Sequence, residues 1–317
     1  MPPVNRNEPK RAKSSESQVS LMEFMREFPD DRTCLDWLWR ERYAPDGHTT
    51  YCPKCEKDRR FHRVNARPTY DCDTCGHHIN PTAGTIFHKS STSLHLWFYA
   101  MWIITSTRCG VSAKQLEREL GVTYKTAWRM FNLIRNELMT QDGGPLSGEV
   151  EADETWIGGA LRESDRRKAR AEGRSPIGQY VKARESVFGI VQRGGQVRAF
   201  HVPSRYGHTL RSTIRRTVTP ASIVYTDDYP GYDGIARLYT HNTINHTHRV
   251  YVDGAVHTQT IEGFFSLVKN GIRGVYHVVS AKWLQGYLNE YAWRYNHRDD
   301  PAAMFRQLLL RAAVPLG

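Results

Sequence analysis

Four cysteines and three acids are the residues of this 317-residue chain whose types and spacing could carry chemistry. Cys52, Cys55, Cys72 and Cys75 form two Cys-x-x-Cys pairs with sixteen residues between them, the spacing of a four-thiolate structural zinc site. One zinc ion takes four soft ligands in a tetrahedron. The tight CPKC and CDTC turns, the second followed by Gly76, would deliver thiolates in pairs from the hairpins of a ribbon. The metal then replaces a core too small to fold alone. Two disulfides are the other use of such a pattern, but the polar N-terminus has no apolar signal segment to indicate an oxidising compartment. Cys34 and Cys109 stand among apolar residues and are expected in the core. His62, His77 and His78 are expected to face solvent or DNA, because four thiolates close the site.

Asp153, Asp227 and Glu262 are the three acids, separated by 74 and 35 positions. Asp153 lies within a strand-like run, residues 150–157. Asp227 follows the apolar run 223–226, and Glu262 opens an amphipathic helix. Carboxylates converging from two strands and a helix supply hard oxygen ligands for two Mg²⁺ (or Mn²⁺) ions. Such a pair activates a water or a 3′-hydroxyl and stabilises the leaving oxygen in phosphodiester cleavage. Any one of the three alone reads as a solvated acid or a helix cap, so their joint arrangement carries the chemistry. Glu151 shares a strand face with Asp153 and Glu154 points the other way, and either could be structural. Lys269 lies two helical turns after Glu262, facing either a substrate phosphate or solvent. Lys269, Arg273, His277 and Lys282 make a basic band fit for a DNA path. The run at 162–174, RESDRRKARAEGR, reads as a charged loop that touches DNA or is simply solvated. His241, His246, His248 and His257 cluster before Glu262 and read as part of a solvated loop, with contact to DNA or metal as the other reading.

These residues need elements to position them. The segment SAKQLERELGVTYKTAWRMFNLIRNEL has the layout of a helix-turn-helix: Ser112 as a cap, Leu116 and Leu120 inward, Gly121 in the turn and Thr123 as the second cap. Its second helix would present Thr123, Tyr124, Lys125, Thr126 and Arg129 to DNA, although an ordinary helical hairpin has the same apolar spacing. Lys plus Arg number 44 against 33 Asp plus Glu, a net charge of +11 that favours a polyanionic partner. The longest apolar stretch, residues 96–105, is about half of the roughly 20 residues needed to span a bilayer, so no membrane segment and a cytoplasmic location are expected. Residues 1–18 read as a flexible basic tail and 19–80 as short helices, split around Pro29, followed by the ribbon. Residues 81–141 read as the helical DNA-binding domain. After the QDGGPLS linker, residues 147–317 read as a catalytic domain of strands and then helices. The fold class expected is multidomain α/β.

In these residues the chain resembles the zinc-ribbon DDE insertion-sequence transposases of the ISXO-like group, related to the Merlin elements. The resemblance spans about residues 20–300. It rests on CPKC, CDTCG, GTIF with LWFYAMW, VEADETWIGG, TDDYPGY and the block from VDGAVHTQTIEGFF to RYNHR. It implies an RNase H-like mixed-sheet catalytic domain with Asp153, Asp227 and Glu262 as the metal-binding acids and Lys269 as their companion. It also implies binding of terminal inverted repeats, cut-and-join chemistry on double-stranded DNA at element ends and target, and two subunits pairing two ends. The working place would be the nucleoid. The family's Thr-Asp pairing matches Thr226 and Asp227 and favours Asp227 over Asp228. Gln259 stands where the family has Asn. Two other functions fit the same residues: an RNase H-like nuclease that cuts without joining, and a non-catalytic zinc-ribbon DNA-binding regulator.

Overall fold

The computed structural model describes residues 19–107, 109–158, 163–173, 184–244 and 257–316. The expected tail at 1–18 and His246 and His248 lie outside them. The described residues form two compact units, one drawn from 19–138 with 297–316 and the other from 139–296.

The first unit begins with α1 (Leu21–Glu27) and α2 (Asp31–Arg42), split at Pro29. Ser20 and Glu23 form a capping box on α1, and Asp30 accepts the Thr33 N–H at 2.8 Å to start α2. The ribbon follows as a four-stranded antiparallel sheet of β1 (Thr49–Cys52), β2 (Lys57–Val64), β3 (Thr69–Cys72) and β4 (His78–Ile79). Trp39 of α2 stacks on Tyr70 of β3, with ring centroids 4.2 Å apart. That contact ties ribbon to helix. Helix α3 (Leu94–Ser106) is buried on most of its circumference, including Trp97, Phe98, Met101 and Ile104. It leads to α4 (Ala113–Leu120), then α5 (Tyr124–Leu133) and a π turn at Ile134–Leu138.

The last helix of the chain, α10 (Pro301–Ala313), belongs to this first unit, whereas the sequence reading carried the catalytic domain through to residue 317. Its apolar face explains the difference. Phe305 packs edge-on against Phe24 and Phe28, and Arg306 grips the Glu27 carboxylate with two hydrogen bonds of 2.8 and 2.9 Å. The ribbon and the helix-turn-helix, expected as separate domains, likewise share one unit.

The second unit is built on a five-stranded mixed sheet in the order β7-β6-β5-β8-β9. Its strands are β5 (Glu149–Gly158), β6 (Arg184–Gln192), β7 (Val197–Val202), β8 (Ile223–Asp227) and β9 (Thr240–Ile244). β5, β6 and β7 pair antiparallel, while β8 and β9 add in parallel on the other side of β5. Alternation of side chains gives the sheet two apolar faces. Val150, Ala152 and Val224 pack with α7 (Gly207–Thr217), and Ile157, Val187 and Val197 pack with α8 (Gln259–Gly271) and α9 (Ala281–Asn296). The unit starts before the expected linker because the Gln141 side chain pairs with the Ala199 peptide at both its N–H and its carbonyl, at 2.6 and 2.7 Å. The charged run expected as a loop contains α6 (Glu163–Ala171), whose Glu, Arg, Lys and Ala are good helix formers.

Candidate active site and metal-binding ribbon

The register of β5 and β8 builds the site. Glu149 pairs with Ile223, Val150 with Val224 and Glu151 with Tyr225, an offset of 74. Continued two residues, that offset sets Asp153 beside Asp227, the last residue of β8, on one face of the sheet. This is the face covered by α8, which carries Glu262 in its first turn and Lys269 in its last. The strand ends here open the kind of crevice in which α/β sheets hold ligands.

The electrostatics report the same proximity. Burial pushes the Asp153 carboxyl up to about 7, aided by the negative charges of Glu154, Asp227 and Glu262 and opposed by the Glu154 N–H that it accepts at 2.8 Å. Lys269 is held below its ordinary range by burial and by Arg273, with Asp153 pulling the other way. Asp228, the rival to Asp227, is exposed. Among the described residues, the three acids do not bring one carboxylate oxygen each within 4.8 Å of one another, as the four cysteines do with their sulfurs. A pair of ions about 4 Å apart divides its ligands and does not require that closeness.

Glu151 is the residue whose task the sequence left open. It is fully buried and accepts from the Thr260 N–H at 2.9 Å, the Thr260 hydroxyl at 2.9 Å and the Ile261 N–H at 3.1 Å. These are unsatisfied donors of the first turn of α8, so the carboxylate pins the helix start to β5 and its charge suits the positive end of the helix dipole. Arg193 balances it at 2.8 Å while lying over the Tyr225 ring. His257, expected in a solvated loop, is held by its carbonyl, which accepts from Arg193 at 2.9 Å, and its Nδ1 lies 3.1 Å from the same carboxylate without hydrogen-bond geometry. Gly189, paired with Asp153 on β6, allows α8 to approach: a Cβ there would meet Ile261 at 2.7 Å and Phe265 at 2.8 Å. A glycine between apolar strand residues was the available signal. Glu154 points to the opposite face, where Arg205 meets it at 3.3 Å and the Tyr232 hydroxyl donates to it. His241 shares a 2.9 Å hydrogen bond with the Thr226 hydroxyl.

In the ribbon, Cys52 and Cys75 have their sulfurs 3.6 Å apart, and Cys55 and Cys72 have theirs 3.9 Å apart. A tetrahedron with bonds of about 2.3 Å has edges of about 3.8 Å, so these thiols fit a structural metal. The knuckles close by Cys55 N–H to the Cys52 carbonyl at 3.2 Å and Gly76 N–H to the Cys72 carbonyl at 3.0 Å. Burial opposes ionisation of Cys72, yet the N–H groups of Cys75 and Thr74 outweigh it and bring this thiol down to about 7. Cys34 is buried as expected; Cys109 is exposed, contrary to expectation. Beside the ribbon lies a cleft of about 460 Å³ lined by Arg32, Arg40, Arg60 and Arg63, which come from α2 and β2 and have no shared sequence motif.

The helix-turn-helix elements form with Gly121 in the left-handed region at φ 64° and the Thr123 hydroxyl accepting the Thr126 N–H at 3.3 Å. Thr123, Tyr124, Lys125 and Arg129 are exposed, and Thr126 is partly covered. Ala127, Met130 and Phe131 face the core. Arg273 is exposed in the π turn Ile272–Tyr276 after α8. No helix among the described residues is long and apolar enough to cross a membrane.

Comparison with known proteins bears on the same residues. The ISXO2-like transposase domain matches residues 145–296, the span holding all three acids and Lys269. An uncharacterized protein in transposable element ISH50 of Halobacterium salinarum is 28% identical over 297 residues, covering 90% of this chain and 98% of that protein. An uncharacterized transposase-like protein of Haemophilus influenzae is 31% identical over 117 residues, 36% of this chain and 93% of that protein. No solved structure matches. With a matched transposase domain over its second unit and near full-length likeness to a transposable-element protein, the chain belongs to the ISXO2-like transposase family.

Proposed function

We propose that this transposase binds the terminal inverted repeats of its element, cleaves the phosphodiester at each end and joins the freed 3′-hydroxyl to target DNA. Asp153, Asp227 and Glu262 are the catalytic acids in this reading and would hold two Mg²⁺ ions. The ions would activate the attacking oxygen and stabilise the leaving one. The observation that carries the reading is the β5–β8 register, which makes Asp153 and Asp227 neighbours beneath the helix of Glu262. The strand order β7-β6-β5-β8-β9, three antiparallel then two parallel, supports an RNase H-like domain. Lys269 would neutralise a substrate phosphate on the same face, and Glu151 would keep Glu262 in place.

Cys52, Cys55, Cys72 and Cys75 would bind one Zn²⁺ as a structural ion. Thr123, Tyr124, Lys125, Thr126 and Arg129 would enter the major groove, and Arg273 would meet phosphate beside the acids. Two subunits would pair the two ends. DNA as substrate sets the working place at the nucleoid.

The test is a strand-transfer assay with labelled duplexes carrying the element's ends and a target plasmid. Joined products that require Mg²⁺ are expected from the wild type. Cleaved ends without joined products would favour the nuclease, and binding without Mg²⁺-dependent cleavage would favour the regulator.

A further inference from the structure

Beyond Asp227 the sheet narrows. β8 stops there, while β5 continues to Gly158, and among the described residues no strand pairs with the end of β5 on that side. Trp156 lies on this overhang, three residues or about 10 Å along the strand from Asp153, on the face of Glu154 and Arg205 rather than that of Asp153, so a DNA strand would reach it around the open edge where β8 ends. The residue is 37% exposed. One exposed aromatic is ordinary on any protein surface. This one has company that a solvated indole does not require.

The Arg205 guanidinium lies over the Trp156 ring, 4.6 Å from its centroid, and 5.7 Å from the Tyr229 centroid. Glu154 holds that guanidinium in place. The Tyr229 hydroxyl donates to the Arg205 carbonyl at 3.2 Å, and the Tyr229 N–H donates to the Asp227 carboxylate at 3.2 Å. Tyr206, next in sequence, is 69% exposed and stacks on His208. A flat aromatic surface with a fixed planar cation is thus hydrogen-bonded through Tyr229 to one of the acids. Glu154, the carboxylate in this group, is occupied by Arg205 and Tyr232.

Those features match an unpaired nucleobase. Every base offers a π face whatever its identity, and a guanidinium can both extend the stack and attract the flanking phosphate. A paired base inside a duplex cannot reach such a surface without leaving its stack. We infer that Trp156 and Arg205, with Tyr206 beside them, form a stacking platform for an unpaired base of the DNA strand whose phosphodiester lies at Asp153 and Asp227. The platform rests on the reading of those acids as the DNA-cleaving site, but binding tests it without any cleavage step.

The experiment is fluorescence anisotropy on the full-length protein without added divalent cation, using three probes: a flush duplex, the same duplex with a short unpaired thymidine arm, and that arm made abasic. The wild type should prefer the thymidine arm over the flush end by about 5- to 100-fold, the range expected for stacking of one base. Trp156→Ala should bring the preference to within about twofold while leaving flush-duplex binding in place, and Trp156→Phe should keep most of it. The abasic arm should reproduce the loss in the wild type and add nothing to it in Trp156→Ala. A wild type that ignores the arm, or a Trp156→Ala protein weakened equally on all three probes, overturns the platform. Asp153→Ala should retain the arm preference. If the preference is intact but the wild type cuts no DNA in Mg²⁺, the reading of the acids fails and the platform stands.

Discussion

Asp153 and Asp227 each lie two residues beyond Glu151 and Tyr225, the last pair of the parallel β5–β8 ladder. Their separation of 74 positions in the chain is the register offset of β5 and β8. Burial does most to raise the Asp153 carboxyl, and the negative charges of Glu154, Asp227 and Glu262 add to it.

Glu151 should control Glu262 from a distance. Glu151→Ala removes the acceptor for two backbone N–H groups and a hydroxyl of α8 and leaves Arg193 without its buried partner. A loss of about 3–5 kcal/mol is expected in denaturant unfolding. Glu151→Gln keeps the shape and one acceptor oxygen, and should lower kcat with little change in DNA affinity. Unchanged turnover in Glu151→Gln would remove the anchoring role.

Gly189→Ala should be costly for a single methyl group. The added carbon would press on Ile261 and Phe265, side chains packed in the core, and overpacking of this kind costs about 1–3 kcal/mol. The shift would lift α8, so cleavage should fall more than DNA binding does. Paired unfolding and cleavage measurements check both effects.

The elements that carry the three acids were legible in the sequence, since Asp153 lies within a strand, Asp227 ends an apolar strand and Glu262 opens an amphipathic helix; the β5–β8 register was not. The cysteine pairs were legible because metal geometry restricts how far apart ligands can lie. Glu151 was ambiguous. A strand glutamate looks the same whether it faces solvent or caps the first turn of a distant helix, and only the folded sheet shows that Thr260, 109 positions later, arrives above it. The return of α10 to the first unit was illegible, because the apolar face containing Phe305 and Leu308 does not specify which core it will join. The charged run at 162–174 misled because helical propensity in α6 was outweighed by its charge when it was read as a loop.

The ribbon should depend on its thiols as a set. Cys52→Ser removes one sulfur from a cluster whose paired atoms lie 3.6 and 3.9 Å apart. Bound zinc, measured by elemental analysis, should fall from about one per chain towards zero. The ribbon should become sensitive to protease, since metal-binding energy is folding energy here. Full zinc content in the variant would contradict the four-thiolate assignment.

Asp153 should give the protein a recognisable pH signature. Its carboxyl titrates near 7 when folded, against 3.8 in a model compound, so between about pH 4 and 7 the folded chain holds a proton that the unfolded chain has released. Stability from this group is therefore greatest at the acid end, falls as pH rises through that window and is flat above it. Without added divalent cation, Asp153→Asn should match the wild type near pH 4 and melt a few degrees higher above pH 7. The checking measurement is the difference in Tm across that range.

The most direct test compares Mg²⁺-dependent cleavage of element-end duplexes by Asp153→Asn, Asp227→Asn, Glu262→Gln and the neighbouring control Asp228→Asn, with DNA affinity measured for each. The first three should lose cleavage by about a thousandfold or more, roughly 4 kcal/mol of transition-state stabilisation, while still binding DNA. Asp228→Asn should cleave at close to the wild-type rate. Cleavage persisting in Asp153→Asn, or lost equally in Asp228→Asn, would contradict the assignment of these acids.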